Sequence, residues 1–409
     1  MLEQINSNKT GWTRVAFGDV VRLSKLRAKD PEAEGYERVV GLEHIEPGDL
    51  RIRRWADIAD GTTFTSVFKP GQVLFGKRRA YQRKVAVADF EGVCSGDIYV
   101  LEPASVGLMP ELLPELLPEL LPELLPFICQ TDAFFEHAVG TSAGSLSPRT
   151  NWKSLADFEF LLPPIQEQAR LVEVLKASTD TVDRLFDLAN RTEELLGSLI
   201  LESLEIRGFA RSEGYKGRFQ VATGEDVYTA KSGNGEPTFD DEGDTLFFKV
   251  ADFNRNPDHR ALQTAETRFH AATNPSIRVF KPGTVIFPKR GASIFLNKIG
   301  ILSHTAALDP NLMALEPDTS SASAEYLMWF FKGVGLWRFA DTTSVPQLNH
   351  KHLKPIPLPL PSLDDQNDLV GKLSQIADAL ADTKSRLEQA QENQIRIREN
   401  AFAVTEVKN

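Results

Sequence analysis

Two stretches of the chain place apolar or small residues in an alternating four-and-three step. The first runs Leu171, Leu175, Ser178, Val182, Leu185, Ala189, Thr192, Leu196 and Leu199. The second runs Leu369, Leu373, Ile376, Leu380, Thr383, Leu387, Ala390, Gln394 and Ile397, each residue 198 positions after its counterpart. This spacing predicts two long helices, each with one face marked for another helix, and the shared register makes the two natural partners. Pro163 and Pro164 suit a helix start, and Ser362 followed by Asp365 reads as a capping box before the second. Residues 166–204 as one helix would extend about 58 Å at 1.5 Å per residue, longer than a domain core requires.

The rest of the chain is duplicated in the same sense. Val67–Arg79 (VFKPGQVLFGKRR) recurs as Val279–Gly291 (VFKPGTVIFPKRG), with nine of thirteen positions identical at an offset of 212. Leu101–Pro103 recurs as Leu315–Pro317 at an offset of 214, and Leu146–Gln168 matches Ser344–Gln366 at 198, sharing Asn151/Asn349, Lys153/Lys351, Leu155/Leu353 and Gln168/Gln366. The first half therefore carries 16 additional residues, and three surplus copies within the tandem ELLP units of Glu111–Pro126 account for 12 of them. A proline every fourth residue argues against one continuous helix there, so the repeat reads as an irregular insertion with no binding role of its own.

Between these landmarks lie short β-rich runs such as GQVLFG, KVAVADF and SGDIYVLEP, mixed with turn residues and amphipathic segments. The pattern predicts an α+β fold rather than a regular βαβ alternation. The expected organisation is a pseudo-two-fold repeat. One module spans 1–160 and a first long helix 161–207; a second module spans 208–360 and a second long helix 361–409, the helices pairing as an antiparallel coiled coil.

Composition changes this picture only in part. With 409 residues and 42% hydrophobic content, the chain can bury more than one core. Cys94 and Cys129 are the only cysteines and have no metal-ligand spacing, so a reducing cytoplasm is expected. No apolar run approaches the length of a membrane helix, and the N-terminus lacks a secretory pattern, so no membrane association is expected. The net charge of −11 opposes nucleic-acid binding at first sight, but its distribution does not: residues 1–100 hold 16 Lys+Arg against 14 Asp+Glu, and residues 208–360 hold 17 against 16.

The sequence offers no catalytic constellation. There is no GxxxxGK(S/T) loop, and Ser232–Pro237 (SGNGEP) lacks the glycines and setting of a dinucleotide site, so it reads as a turn. Asn274–Ile277 (NPSI) fails the Asn/Asp-Pro-Pro-aromatic pattern of amino-group methylation. His350 and His352 have no companion ligands, which leaves no expected metal site. Asp240, Asp241, Glu242 and Lys249 match a nuclease pattern only at a spacing common by chance.

Cations with aromatic neighbours are the candidate chemistry. In KRRAYQRK, Lys77, Arg78, Arg79, Arg83 and Lys84 surround Tyr81 directly after a predicted strand, suited to phosphate contact and base-edge readout. The second copy keeps Lys289 and Arg290 but then diverges to Ser293, Asn297 and Lys298, as a shared anchor with a variable reader would. Arg51, Arg53 and Arg54 beside Trp55 form a secondary candidate, with Val250–Arg260 in the comparable place.

Together, NWKSLADFEFLLPPIQEQ, LNHKHLKPIPLPLPSLDDQ and the duplicated KPGxVxFxKR resemble the specificity subunits of type I restriction-modification systems across nearly the whole chain. The resemblance implies two target-recognition domains that each read a half-site of duplex DNA, with the helices fixing the spacer. It implies two modification (methyltransferase) subunits and added restriction (motor-nuclease) subunits as partners. S-adenosylmethionine, ATP and magnesium would belong to those partners, leaving this chain non-catalytic. The ELLP expansion departs from the family pattern, in which short tandem repeats lie in the inter-domain helix. Two other readings stay open: a coiled-coil scaffold that never touches DNA, and an orphan recognition subunit without its methyltransferase.

Overall fold

The structure is a computed structural model that describes residues 9, 11–104, 119–206, 215–256, 258–341 and 345–402. The first two ELLP units lie outside the described residues. The chain divides into two compact units, Met1–Phe186 with Ser385–Asn409, and Asp187–Lys384.

In the first unit, Thr13–Ala16 pairs antiparallel with Glu159–Leu162. One four-stranded sheet follows the order Val21–Leu23, Ile98–Pro103, Val73–Gly76 and Val85–Val87. A second follows Ala56–Asp57, Arg38–Val40, Gly92–Cys94 and Ser66–Phe68.

The second unit repeats this plan strand for strand. Gln220–Thr223 pairs with Pro357–Leu360. Its sheets run Tyr228–Ser232, Leu312–Pro317, Val285–Pro288 and Gly300–Ile301, and Thr267–Phe269, Thr245–Phe248, Ala306–Leu308 and Val279–Phe280. Register is kept as well: Val73 faces Leu101 as Val285 faces Leu315, and Thr13 faces Leu162 as Gln220 faces Leu360. The fold is α+β and internally duplicated.

The shared KPGxVxF motif has a local physical reason in both copies. Gln72 N donates to Lys69 O and Thr284 N to Lys281 O, closing four-residue turns with proline second and glycine third. Gly71 and Gly283 have φ of 87° and 83°, which a side chain would resist. The strand that follows is buried on both faces and divides two cores. Val73 and Phe75 join the cluster of Phe17, Phe134 and Leu155, whereas Leu74 joins Val40 and Phe68. Likewise Val285 and Phe287 pack with Tyr326 and Leu353, and Ile286 with Phe248 and Phe280.

The long helices are Ile165–Ser203 (39 residues) and Leu363–Phe402 (40 residues), each continuous through its glycine at 197 or 371. Leu171, Leu175, Leu373 and Leu380 are buried; Val182, Leu185, Leu196, Leu369, Ile376 and Leu387 are half-buried, so no residue of the expected seam is exposed. The start of the first helix and the end of the second share the first unit's core through Leu171, Leu175, Ile397 and Ala401. In the second unit, Ile200 and Leu204 share a core with Leu373. Gln394 Nε2 donates to Thr179 Oγ1 at 2.9 Å in the first unit, and Lys384 pairs with Glu193 at 2.9 Å in the second.

Both helix starts are bolted by the same glutamine. Gln168 is 1% exposed; its Oε1 accepts from Leu121 N at 2.9 Å, and its Nε2 donates to Glu119 O and Pro163 O at 2.7 and 2.9 Å. Gln366 is fully buried and makes the corresponding bonds to Ser323 N, Ser321 O and Pro361 O at 3.1, 2.9 and 3.1 Å. These bonds align Leu121 with Ser323 at an offset of 202, so 12 surplus residues lie between the Pro103/Pro317 and Leu121/Ser323 landmarks. That equals three ELLP units. The described part of the repeat ends in the short helix Leu125–Cys129, with Pro126 in its first turn, where proline is tolerated. At the second helix, Asp365 N donates to Ser362 Oγ and Ser362 Oγ to Asp365 Oδ2, the serine cap expected there.

Candidate nucleic-acid interface

The basic loops leave the motif strand at one fold position in both units. Lys77 N donates to Asp97 O and Thr150 N to Lys77 O; Lys289 N donates to Asn311 O and Leu348 N to Lys289 O. The next residue bridges the same partner segment, Arg78 with Arg149 and Arg290 with Gln347. Structural equivalence is therefore fixed by backbone hydrogen bonds rather than by sequence identity. Beyond the shared Lys-Arg pair, Tyr81 corresponds to Ser293; the second loop is then two residues longer, so that strand pairing matches Arg83 with Asn297, both at positive φ, and Lys84 with Lys298.

The first unit restrains its cations. Arg78 Nη1 and Arg149 Nε meet the two carboxylate oxygens of Asp97 at 3.2 and 2.9 Å. Burial raises the Asp97 pKa, but the hydrogen bonds from Arg149 and Arg78 outweigh it and hold the carboxyl below its usual range. Lys77 lies over the Tyr99 ring at 4.7 Å, and burial lowers its pKa, with Asp97 opposing and Arg149 and Arg27 adding to the shift. Arg83 pairs with Asp132 and stacks on Phe135, and Lys84 donates to Leu42 O at 2.6 Å. Tyr81 points to solvent, 54% exposed.

Arg79 has φ of 53°, a left-handed conformation in which a Cβ is disfavoured, and its structural counterpart is Gly291 with φ of 71°. An arginine thus stands where the backbone suits glycine, its Nη2 at 3.4 Å from Ser147 Oγ.

In the second unit, Lys289 is 9% exposed and donates to Ser232 Oγ at 2.6 Å; burial lowers its pKa, with Arg290 adding and Asp309 opposing. Arg290 is exposed, and the Asp97 of the first unit is Asn311 here, so no carboxylate among the described residues pairs with it. Ser293 Oγ donates to Arg290 O, and Lys298 Nζ to Asn254 Oδ1. Asn297 is bonded at both ends of its amide, to Lys332 O and from Leu336 N, which closes the loop onto the neighbouring helix.

The arginines after Leu50 have a different setting. Arg51 and Arg53 converge on Asp183 of the first long helix at 2.7 and 2.9 Å, and Arg53 also stacks on Phe186. Asp183 is 5% exposed, and burial raises its pKa against the pull of Arg51 and Arg53. Arg54 pairs with Glu46. In the second unit, Arg260 donates to Ser374 O and pairs with Asp378 of the second long helix. These cations tie each module to the helix segment inside its own unit.

Sequence reasoning passed over Arg27, Arg149 and Arg278, and read Ser232 only as part of a turn and His350 only as a lone histidine. Arg27 and Arg149 act on Lys77, Ser232 holds Lys289, and Arg278 and His350 gather on Ser232. Arg149 and Gln347 are aligned by the repeat at offset 198, so that position was visible as a variable partner of the conserved Lys-Arg pair. The others were not, because they come from separate places in the chain: Arg27 from an isolated bridge, Ser232 from a strand end, Arg278 from a loop and His350 from the start of a short helix.

No helix among the described residues is long and apolar enough to cross a membrane. No protein-family model matches the chain. Over 189 residues it is 26% identical to the type I restriction enzyme EcoDI specificity subunit of Escherichia coli, a stretch covering 44% of this chain and only 38% of that subunit. In fold it is similar to the type I restriction-modification system S subunit of M. genitalium, at a TM-score of 0.58 and 14% identity over 98% of both chains. It is likewise similar to a chain from a study of complex assembly and conformational transition of the type I R-M system, at a TM-score of 0.55 and 19% identity, covering 97% of this chain and 99% of that one. The chain is thus similar in sequence, over part of its length, to a type I specificity subunit, and has the fold of such subunits over nearly its whole length.

Proposed function

We propose that the chain is the specificity subunit of a type I restriction-modification complex and that it recognises duplex DNA. Each unit reads one half of a two-part site, and the long helices set the spacer and seat the modification subunits. The observation that carries this reading is the duplication itself. One α+β plan occurs twice, each copy presents a Lys-Arg pair at the same point, and most of the residues that follow, Arg79, Tyr81, Gln82 and Arg83 against Gly291, Ser293, Ile294 and Asn297, differ between copies. Two readers of different sequences need a common way to hold the backbone and different side chains for the bases.

The chain in this reading carries no catalytic step. Methyl transfer from S-adenosylmethionine and ATP- and magnesium-dependent cleavage belong to two modification subunits and to the restriction subunits, in the cytoplasm. Co-purification with a co-expressed type I modification subunit, followed by duplex binding across a salt series, tests the proposal. A stable complex whose DNA affinity falls steeply with salt is expected. Assembly with salt-independent or absent DNA binding would favour a protein scaffold instead.

A further inference from the structure

The loop lysine of each unit stands in a group of cations that different positions supply. In the first unit Arg27 Nη1 donates to Ser66 Oγ at 2.5 Å, the two residues forming an isolated bridge. The corresponding pair in the second unit is Asn234 and Arg278, where Arg278 N donates to Asn234 Oδ1 at 2.7 Å. The arginine has moved from one side of the bridge to the other, and Arg278 now donates to the carbonyl of Ser232, the residue whose hydroxyl holds Lys289. A third nitrogen donor follows a similar logic: Arg149 flanks the first lysine, and with Gln347 in its place the imidazole of His350, held neutral at neutral pH by burial and the cations around it, flanks the second.

Ser232 is the hub in the second unit. Lys289 Nζ lies 2.6 Å from its hydroxyl, His350 Nε2 3.5 Å from the same oxygen, and Arg278 Nη1 2.7 Å from its carbonyl. Burial lowers the His350 pKa, and Lys289, Arg278 and Lys354 lower it further, so these charges converge on one point. Among the described residues, no ion pair joins Arg278, Lys289 or Arg290 to a carboxylate. In a chain with a net charge of −11, cations kept together at matched places, while the positions that supply them change, mark a field held for an external anion.

We propose that Lys77 and Lys289 each centre a site for a backbone phosphodiester of duplex DNA. Arg27 and Arg149 complete the first site, and Arg278 and His350 the second. The inference rests on the DNA-recognition reading and adds the contacts that carry affinity without sequence. It also makes the two units unequal: Asp97 pairs directly with Arg78 and Arg149 in the first site, whereas in the second Asn311 stands at that position and Asp309 acts on Lys289 only through its charge, without an ion pair.

The test is the affinity of the full chain for a labelled mixed-sequence duplex across a salt series, with Lys77→Gln, Arg278→Gln and the exposed helix control Lys372→Gln. Arg278 is exposed, so its variant keeps the fold. Arg278→Gln and Lys77→Gln are expected to reduce the slope of log Kd against log salt by about one each, alike for cognate and scrambled duplexes, with the control unchanged. Wild-type slopes in both variants, while wild type binds DNA, would overturn the phosphate sites and leave the DNA reading standing. Stabilisation by inorganic phosphate that each variant reduces, without any change in DNA slope, would assign the sites to free anions and overturn the duplex contact. A wild-type chain that shows no salt-dependent DNA binding would overturn both.

Discussion

Replacing Gln168 or Gln366 by leucine isolates the bolt that fixes each long helix to its module. Leucine keeps the approximate volume but removes three hydrogen bonds, stranding one backbone N–H and two carbonyls around a side chain at most 1% exposed. An unsatisfied buried group costs about 1–3 kcal/mol, and the more favourable burial of leucine returns roughly 1–2. Three such groups give a net loss of about 1–8 kcal/mol, toward the lower end because two of the three bonds are only part-buried, and similar for both glutamines because the bonded partners are equivalent. Glutamate is the more severe change at neutral pH. It keeps the acceptor for Leu121 N but turns an anionic oxygen on two carbonyls, so it folds only by taking up a proton. Urea unfolding followed by hydrogen exchange on peptides of each unit measures this, with the Leu121 and Ser323 amides as local reporters. A loss below about 0.5 kcal/mol in either unit, or unchanged protection of those amides, would refute the reasoning.

Leu175→Ala and Leu373→Ala, at buried register-equivalent positions, should each cost about 2–5 kcal/mol in denaturant melts; the exposed Leu188→Ala and Leu195→Ala should cost under about 0.5. Arg79→Gly relieves a left-handed arginine and should stabilise the first unit by about 0.5–1 kcal/mol while weakening duplex binding in a fluorescence titration. Asp97→Asn copies the Asn311 of the second unit and should steepen the salt dependence of binding. Because the folded Asp97 pKa is depressed, its stabilising effect is present above about pH 4 and lost as pH falls, so the variant should flatten the acid limb of the stability curve. Burial lowers Lys332 to about 8, with Asp258 opposing and Arg260 adding. Between that value and 10.5 the unfolded chain binds more protons, so stability should rise with pH across this window in wild type and lose that rise in Lys332→Met.

Much of the fold was legible because duplication supplies its own control. The offset of 198 aligned the two helix registers, and the structure buries or half-buries every expected seam leucine. The KPG turn was visible as a shared motif because a positive φ after proline constrains sequence at that spot. The wiring of the cations was not legible. Arg53 meets Asp183 across 130 residues, and nothing local distinguishes that arginine from one left in solvent. Whether a loop arginine is held depends on one position in a distant strand turn, Asp97 against Asn311, which periodicity does not reveal. The exchange of Arg27 and Ser66 for Asn234 and Arg278 keeps a charge in place while erasing the identity an alignment would use.

The central claim is that this chain directs a methyltransferase to a split DNA site. Co-expression with its modification subunit, followed by single-molecule methylation mapping of host DNA, tests it most directly. The account predicts adenine methylation at a motif of two short specified halves around a fixed unspecified spacer, altered when the second unit's loop is exchanged. An assembled complex that leaves no such motif methylated would contradict it.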